Sequence, residues 1–227
     1  MIQVKICGMT RLEDALVAAE SGADILGFIF HPRSPRSIVV EEAGCLIAEL
    51  KRRVEVAPEC VGVFVDREPR EIEEVVRSCG LDQVQLHGRE SLEEYTGLDV
   101  PVVKAYPLSD ENDLDAIPRG HREVFLVDSR DESGFGGTGR PNDWKLAARA
   151  AKRGKMFLAG GLSPINIVEA LESVHPYGVD ASSRLEISPG IKDSAKVHHF
   201  IQEIRKWEAR IRKGISDSSA DASSPKR

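Results

Sequence analysis

Short apolar runs alternate along the chain with longer stretches in which apolar positions recur at helical spacing. The runs are Gln3 to Cys7, Ile25 to Phe30, Cys60 to Val65, Gln83 to Leu86, Val102 to Tyr106, Val124 to Asp128, Met156 to Ala159 and Gly178 to Ala181. Their brevity, β-branched content and flanking turns predict buried strands. Between them, Leu12, Ala15, Leu16 and Ala19 fall on one helical face. The same spacing recurs from Ala43 to Leu50, Ile72 to Cys79, Ile167 to Val174 and Val197 to Ile204, each an amphipathic helix. The acidic stretch Asp110 to Arg119 reads as a short turn of helix. Thr10-Arg11-Leu12-Glu13 has capping-box spacing and should open the first helix. Ser163-Pro164 offers an N-cap with proline at the first helical position. Regular alternation of strand and helix predicts a parallel sheet. Eight repeats predict an α/β fold of the closed (β/α)₈ kind, a TIM barrel in a single domain, ahead of an open doubly wound sheet. The barrel is expected over residues 1–213. Ser216 to Pro225 lacks apolar periodicity, so residues 214–227 read as a disordered tail.

Composition narrows the partners. The 227 residues suffice for one barrel. Lys and Arg number 31 against 37 Asp and Glu, a formal charge of −6, and the basic residues are interleaved with acids, which argues against nucleic acid. Cys7, Cys45, Cys60 and Cys79 form no CxxC pair and share no metal-like spacing with histidine, so no metal is expected and a reducing compartment is. The chain enters a strand at once, without the pattern of a signal peptide. It contains no apolar run of membrane-spanning length. The expectation is a cytoplasmic protein with a small-molecule partner and no membrane.

Barrel chemistry sits at the carboxyl ends of the strands and in the loops that follow. At the first end stands Cys7, then a turn at Gly8. A thiol there can serve as a base when ionised, although a free cysteine is more often a small buried hydrophobe. His31-Pro32-Arg33-Ser34-Pro35-Arg36 is a stiff cationic loop after the second strand. An arginine fork in it suits a carboxylate or phosphate; Arg33 reads as an ordinary solvated side chain. Asp66-Arg67 reads as a turn and helix cap. His87, after the fourth strand, reads first as a histidine satisfied by neighbours, with a ligand or acid role behind it. Asp128 ends the buried run Val124-Phe125-Leu126-Val127. A carboxyl placed there is costly unless paired or functional, and burial suits it to act as a general acid.

Gly134-Phe135-Gly136-Gly137-Thr138-Gly139 matches G-x-G-x-x-G, but no acidic strand end follows about 20 residues on, so a nicotinamide site is rejected. Ala159-Gly160-Gly161-Leu162-Ser163-Pro164 and Asp180-Ala181-Ser182-Ser183-Arg184 follow the seventh and eighth strands. Adjacent loops at these two places, next to helix starts, are where barrels bind phosphate.

Taken in order, several stretches resemble the phosphoribosylanthranilate isomerases of tryptophan biosynthesis. They are Lys5-Ile6-Cys7-Gly8, Ser34-Pro35-Arg36-Ser37-Ile38, Gln85-Leu86-His87-Gly88, Asp128-Ser129, Gly136-Gly137-Thr138-Gly139 with Asp143-Trp144, Ala159-Gly160-Gly161-Leu162 and Ser188-Pro189-Gly190-Ile191-Lys192-Asp193. The resemblance covers the chain apart from its tail. It implies a (β/α)₈ barrel that carries out an Amadori rearrangement without a cofactor, on a small phosphorylated substrate, as a monomer or homodimer. Cys7 then matches the general base, Asp128 the general acid and Arg36 the residue holding the anthranilate carboxylate. Gly160-Gly161 and Ser182-Ser183 match the phosphate grip, and His87 and Gly137 are expected at the substrate. Two positions depart from the family pattern: Arg184 replaces glycine and Asn142 replaces phenylalanine. Arg184 should either reach the phosphate or lie over its rim, or else pair with Glu186 or Asp180. One rival is the related aminoaldose isomerase of histidine biosynthesis, which has aspartate as base and two similar halves. Another is a silent barrel that binds a phosphometabolite; Cys7, Asp128 and Arg36 together argue against it.

Overall fold

The structure, a computed structural model, describes residues 1–128 and 143–221, with 121–122 and 215–221 as backbone only. Eight strands, β1 (Gln3–Cys7), β2 (Ile25–Ile29), β3 (Glu59–Phe64), β4 (Gln83–Leu86), β5 (Val102–Pro107), β6 (His121–Asp128), β7 (Gly154–Leu158) and β8 (Gly178–Ala181), pair in sequence order and close into a barrel. Every expected run forms its strand, with bounds shifted by at most three residues. The helices are α1 (Leu12–Glu20), α2 (Val40–Arg53), α3 (Pro69–Cys79), α4 (Glu111–Ala116), α5 (Trp144–Ala151), α6 (Ile167–Val174) and α7 (Ser194–Asp221). Between β4 and β5 there is only a 3₁₀ turn, Leu92–Tyr95. A two-stranded hairpin, β9 (Glu186–Ser188) with β10 (Ile191–Lys192), separates β8 from α7 and was not expected from the sequence.

Strand alternation divides the core. Ile25, Val61, Val103, Leu126 and Phe157 form one buried cluster inside the barrel. Their neighbours along the strands, such as Leu26, Phe28 and Phe125, belong to the larger cluster under the helices and are fully buried. Each such side chain contributes about 1.5–3 kcal/mol by leaving water. On β1, β4, β6 and β8 the same inward parity ends not in apolar residues but in Lys5, Cys7, Gln85, Asp128 and Asp180.

Three local expectations are corrected. Thr10 does not cap α1: Arg11 holds the N-cap position without a side-chain cap, and the Thr10 hydroxyl donates to the Gly190 carbonyl at 2.5 Å. Ser163 does not cap α6, which starts at Ile167 with Asn166 at the N-cap. The Asn166 carboxamide oxygen accepts from the Ser163 amide at 2.8 Å, so a tight turn precedes the helix. Asp66 does not cap α3, whose N-cap position is Glu68; its carboxylate accepts from the Arg89 amide at 2.6 Å. The helix α7 also crosses the boundary expected at Gly214 and runs to Asp221. Extending an already docked helix adds one hydrogen bond per residue fixed, so a polar end can follow the apolar stripe. Residues 222–227 of the expected tail lie outside the described residues.

Candidate active site

A cavity of ≈ 850 Å³, measured out to its mouth, opens at the carboxyl ends of the strands. Cys7, Arg36, His87, Asp128, Gly160, Gly161 and Ser182 all line it. Sequence reading therefore placed seven of its candidates around one space. Ser183 and Arg184 instead line an adjoining outer pocket, with Ser163, Asn166, Lys196 and His199, and Gly161 is shared between the two. Gly137 and Asn142 lie outside the described residues.

The Cys7 side is built from ion pairs. Lys5 and Asp180 are register partners across the β1–β8 seam, and the Lys5 ammonium lies 2.7 Å from Asp180 Oδ2, with both side chains buried. Burial works against the Lys5 charge, but Asp180 and Cys7 outweigh it and hold its pKa above the ordinary value. Burial likewise pushes the Cys7 thiol up; Lys5, which hydrogen-bonds it, and Lys192 pull the other way, and the net remains a raised pKa. Gly27 is the register partner of Cys7 on β2. A Cβ at residue 27 would come within 2.6 Å of Cys7 Sγ and 3.1 Å of Lys5 Nζ, so the thiol and the ammonium occupy the space a side chain would take.

The hairpin β9–β10 completes this side. Lys192 Nζ donates to the Cys7 carbonyl at 2.6 Å and pairs with Glu186 at 2.8 Å. Glu186 also accepts from Arg36 Nε at 2.9 Å and from Arg36 Nη2 at 2.8 Å. One edge of the Arg36 fork is thus held by Glu186, which orients the guanidinium at the cavity wall. Arg33 on the same loop is exposed, as expected. The Ser182 hydroxyl donates to the Cys7 carbonyl at 2.9 Å, fastening the loop after β8 to the end of β1. Gly8 passes between these groups at φ +81°, and a Cβ there would meet Arg36 Cδ at 2.8 Å.

The Asp128 side is built around His87, on which Lys5 and the buried Lys104–Glu90 pair also act. Asp128 is 9% exposed, and His87 Nε2 stands 3.7 Å from its Oδ2. His87 Nδ1 and Gln85 Nε2 are 2.9 Å apart. Burial, then Lys5 and Lys104, bring the His87 pKa down to about 4, so the ring is neutral at physiological pH. After β7 the backbone turns through two left-handed glycines, Gly160 at φ +92° and Gly161 at φ +64°, a conformation costly for any side chain.

The roles of Lys5, Gln85, Asp180, Glu186 and Lys192 were not read from the sequence, where Asp180 and Glu186 entered only as possible partners of Arg184. For Lys5 and Asp180 a signal existed: each is a charge inside an apolar strand, on the inward parity. Among the described residues no group of three or more His, Cys, Asp or Glu could hold a metal ion, and no helix is long and apolar enough to cross a membrane.

Fold and pocket together define a (β/α)₈-barrel enzyme. The profile of the family described as N-(5'phosphoribosyl)anthranilate (PRA) isomerase matches residues 4–203. The chain belongs to this family of isomerases, which act in tryptophan biosynthesis. The N-(5'-phosphoribosyl)anthranilate isomerase of Geobacter sulfurreducens is 44% identical over 207 residues, 91% of this chain and 100% of that one. The crystal structure of phosphoribosyl anthranilate isomerase from Thermotoga maritima superposes with a TM-score of 0.80 at 38% identity, covering 91% of this chain and 100% of that one. A phosphoribosyl anthranilate isomerase in complex with reduced 1-(o-carboxyphenylamino)-1-deoxyribulose 5-phosphate gives 0.78 at 36% identity, with the same coverage.

Proposed function

We propose that this barrel rearranges N-(5-phosphoribosyl)anthranilate to 1-(2-carboxyphenylamino)-1-deoxyribulose 5-phosphate with Cys7 as base and Asp128 as acid. The observation that carries the assignment is that this thiol and this carboxyl line one cavity from different strands. Asp128 gives its proton to the furanose ring oxygen, the ring opens, and the anilino nitrogen lone pair forms a Schiff base at C1. The Cys7 thiolate removes the C2 proton, and the resulting enolamine tautomerises to the ketone. Lys5 beside Cys7 favours the thiolate electrostatically. The guanidinium of Arg36 suits the anthranilate carboxylate. The consecutive left-handed glycines 160 and 161 turn backbone amides toward the phosphate, with Ser182 and Ser183 across from them. The analogue held by the relative described above has both a carboxylate and a phosphate, as this reading requires. The reaction uses no cofactor and takes place in the cytoplasm. The enzyme works as a monomer or a homodimer; one relative's structure is of monomers made from a dimeric enzyme.

Loss of anthranilate-type fluorescence from freshly made phosphoribosylanthranilate tests the reading directly. The wild-type protein should consume it, and Asp128→Asn should be slower by at least ~10²-fold while still binding a reduced product analogue. Binding without turnover by the wild type would favour the silent-barrel rival. Preference for the histidine-pathway aminoaldose would favour the other.

A further inference from the structure

We propose that His87, held as its Nε2–H tautomer by Gln85, donates a hydrogen bond to the same substrate oxygen that Asp128 protonates. Gln85 and His87 are two residues apart and share the inward parity of β4. Gln85 is 2% exposed, and its Nε2 lies 2.9 Å from His87 Nδ1. With the carboxamide nitrogen turned to the ring it donates, Nδ1 accepts, and the ring proton is then on Nε2. That nitrogen faces Asp128 Oδ2 at 3.7 Å, beyond direct hydrogen-bond range. Both atoms belong to groups that line the cavity, and a substrate oxygen seated over the gap comes within reach of both.

The ring oxygen is the atom that needs two donors. As C1–O breaks, its electron pair passes to that oxygen, and the nitrogen lone pair forms C1=N. Asp128 transfers its proton there and becomes a carboxylate; the His87 proton stays on Nε2 throughout. A neutral imidazole suits this task because it stabilises developing negative charge without releasing its proton. Burial and the two nearby lysines keep His87 neutral, and Gln85 keeps the proton on the useful side. Gln85 is therefore a positioning residue, acting through the ring.

This inference rests on Asp128 being the acid, so Asp128→Asn is measured in parallel. If that variant turns over normally, the acid assignment fails first. If it is inactive and His87→Leu is not, the His87 role alone fails. Expected for His87→Leu is a kcat lower by roughly 10²-fold with little change in KM. His87→Gln, which keeps an N–H at similar reach, should recover most of the loss. Equal losses in the two variants would overturn the donor role. In ¹⁵N-labelled wild-type protein at neutral pH, the His87 resonances should show Nδ1 bare and Nε2 protonated, and Gln85→Leu should mix the tautomers and lower kcat. A ring protonated at Nδ1 in the wild type would overturn the proposal whatever the variants do.

Discussion

The two sides of the cavity are made of opposite materials. Around Cys7 stand Lys5, Lys192 and Arg36, balanced in part by Asp180 and Glu186, all tied by short ion pairs. His87, a neutral histidine, stands next to Asp128 and is joined to the Gln85 carboxamide, with the buried Lys104–Glu90 pair near enough to act on the ring. A thiolate is an anion that a buried site disfavours, so cations must be brought to it. A carboxyl that is to give up a proton during the reaction is served by surroundings that do not strip the proton beforehand. The barrel places the ion pairs that contact Cys7 on the β8–β1 seam and its hairpin, and the uncharged Gln85 and His87 at the end of β4. This is the arrangement by which one site can run acid and base steps at one pH.

Breaking the Lys5–Asp180 pair should have the largest effect on the folded protein. Lys5→Met leaves a buried carboxylate without its cation, and removing one partner of such a pair costs about 3–5 kcal/mol. Urea denaturation should show that loss. A double variant, Lys5→Met with Asp180→Leu, should regain most of the stability but little activity. A single variant within about 1 kcal/mol of wild type would mean that the pair is far less desolvated than its geometry indicates.

Cys7→Ser tests the proposed thiolate base. Turnover should fall by at least ~10²-fold with analogue binding retained. The sign of the pH dependence follows from the raised Cys7 pKa: the thiolate fraction grows as pH rises, so kcat/KM should climb through neutral pH to an alkaline limb. Removing the Lys5 cation raises the thiol pKa further, so in a folded Lys5→Met preparation the limb should move to still higher pH. A limb that stays in place would show that Lys5 does not act on the thiol.

Gly27→Ala probes the crowding on that side without removing a charge. The added methyl would meet Cys7 Sγ and, at 3.2 Å, Cys7 Cα. Overpacking of this kind costs about 1–3 kcal/mol, and displacement of the thiol should lower kcat more than it raises KM. A thermal melt and a Michaelis curve for the one variant decide it; unchanged values in both would mean that β1 and β2 separate freely.

What the sequence made legible is the barrel and the inventory of reactive groups; what it left hidden is mostly the pairing. Apolar runs locate all eight strands because burial on both faces imposes a local pattern. Asp128 stood out as a charge ending such a run, yet the same reasoning applies to Lys5 within Val4-Lys5-Ile6 and to Asp180 within Val179-Asp180-Ala181. Their partnership depends on register across a seam that joins residues 175 apart in sequence, and no local window contains it. The hairpin strands have three and two residues, too short to show a period, so nothing in the pattern placed Glu186 and Lys192 beside Cys7. The capping signals at Thr10 and Ser163 misled for a related reason. Short polar side chains take whichever partner the fold presents, and for Thr10 that was the distant Gly190 carbonyl.

The smallest expected effect belongs to Arg184, where the chain departs from the family's glycine. It is exposed, and it lines the outer pocket rather than the cavity around Cys7. Of the two carboxylates considered as its partners, Glu186 also holds Arg36 and Lys192, and Asp180 also holds Lys5. Arg184 shares the outer pocket with Gly161 and Ser183, and an exposed cation there can draw an anionic substrate in without gripping it. Such attraction acts through association rate and is screened over about 8–10 Å at moderate salt. Arg184→Gln, which keeps the backbone preference that glycine would alter, should leave kcat and the melting temperature unchanged. It should lower kcat/KM by no more than about fivefold at low ionic strength, roughly 1 kcal/mol, and the difference should vanish as salt is raised. A loss well beyond tenfold that persists in high salt would place the guanidinium on the phosphate itself, and the cationic character of the Cys7 side would then extend across the loop after β8.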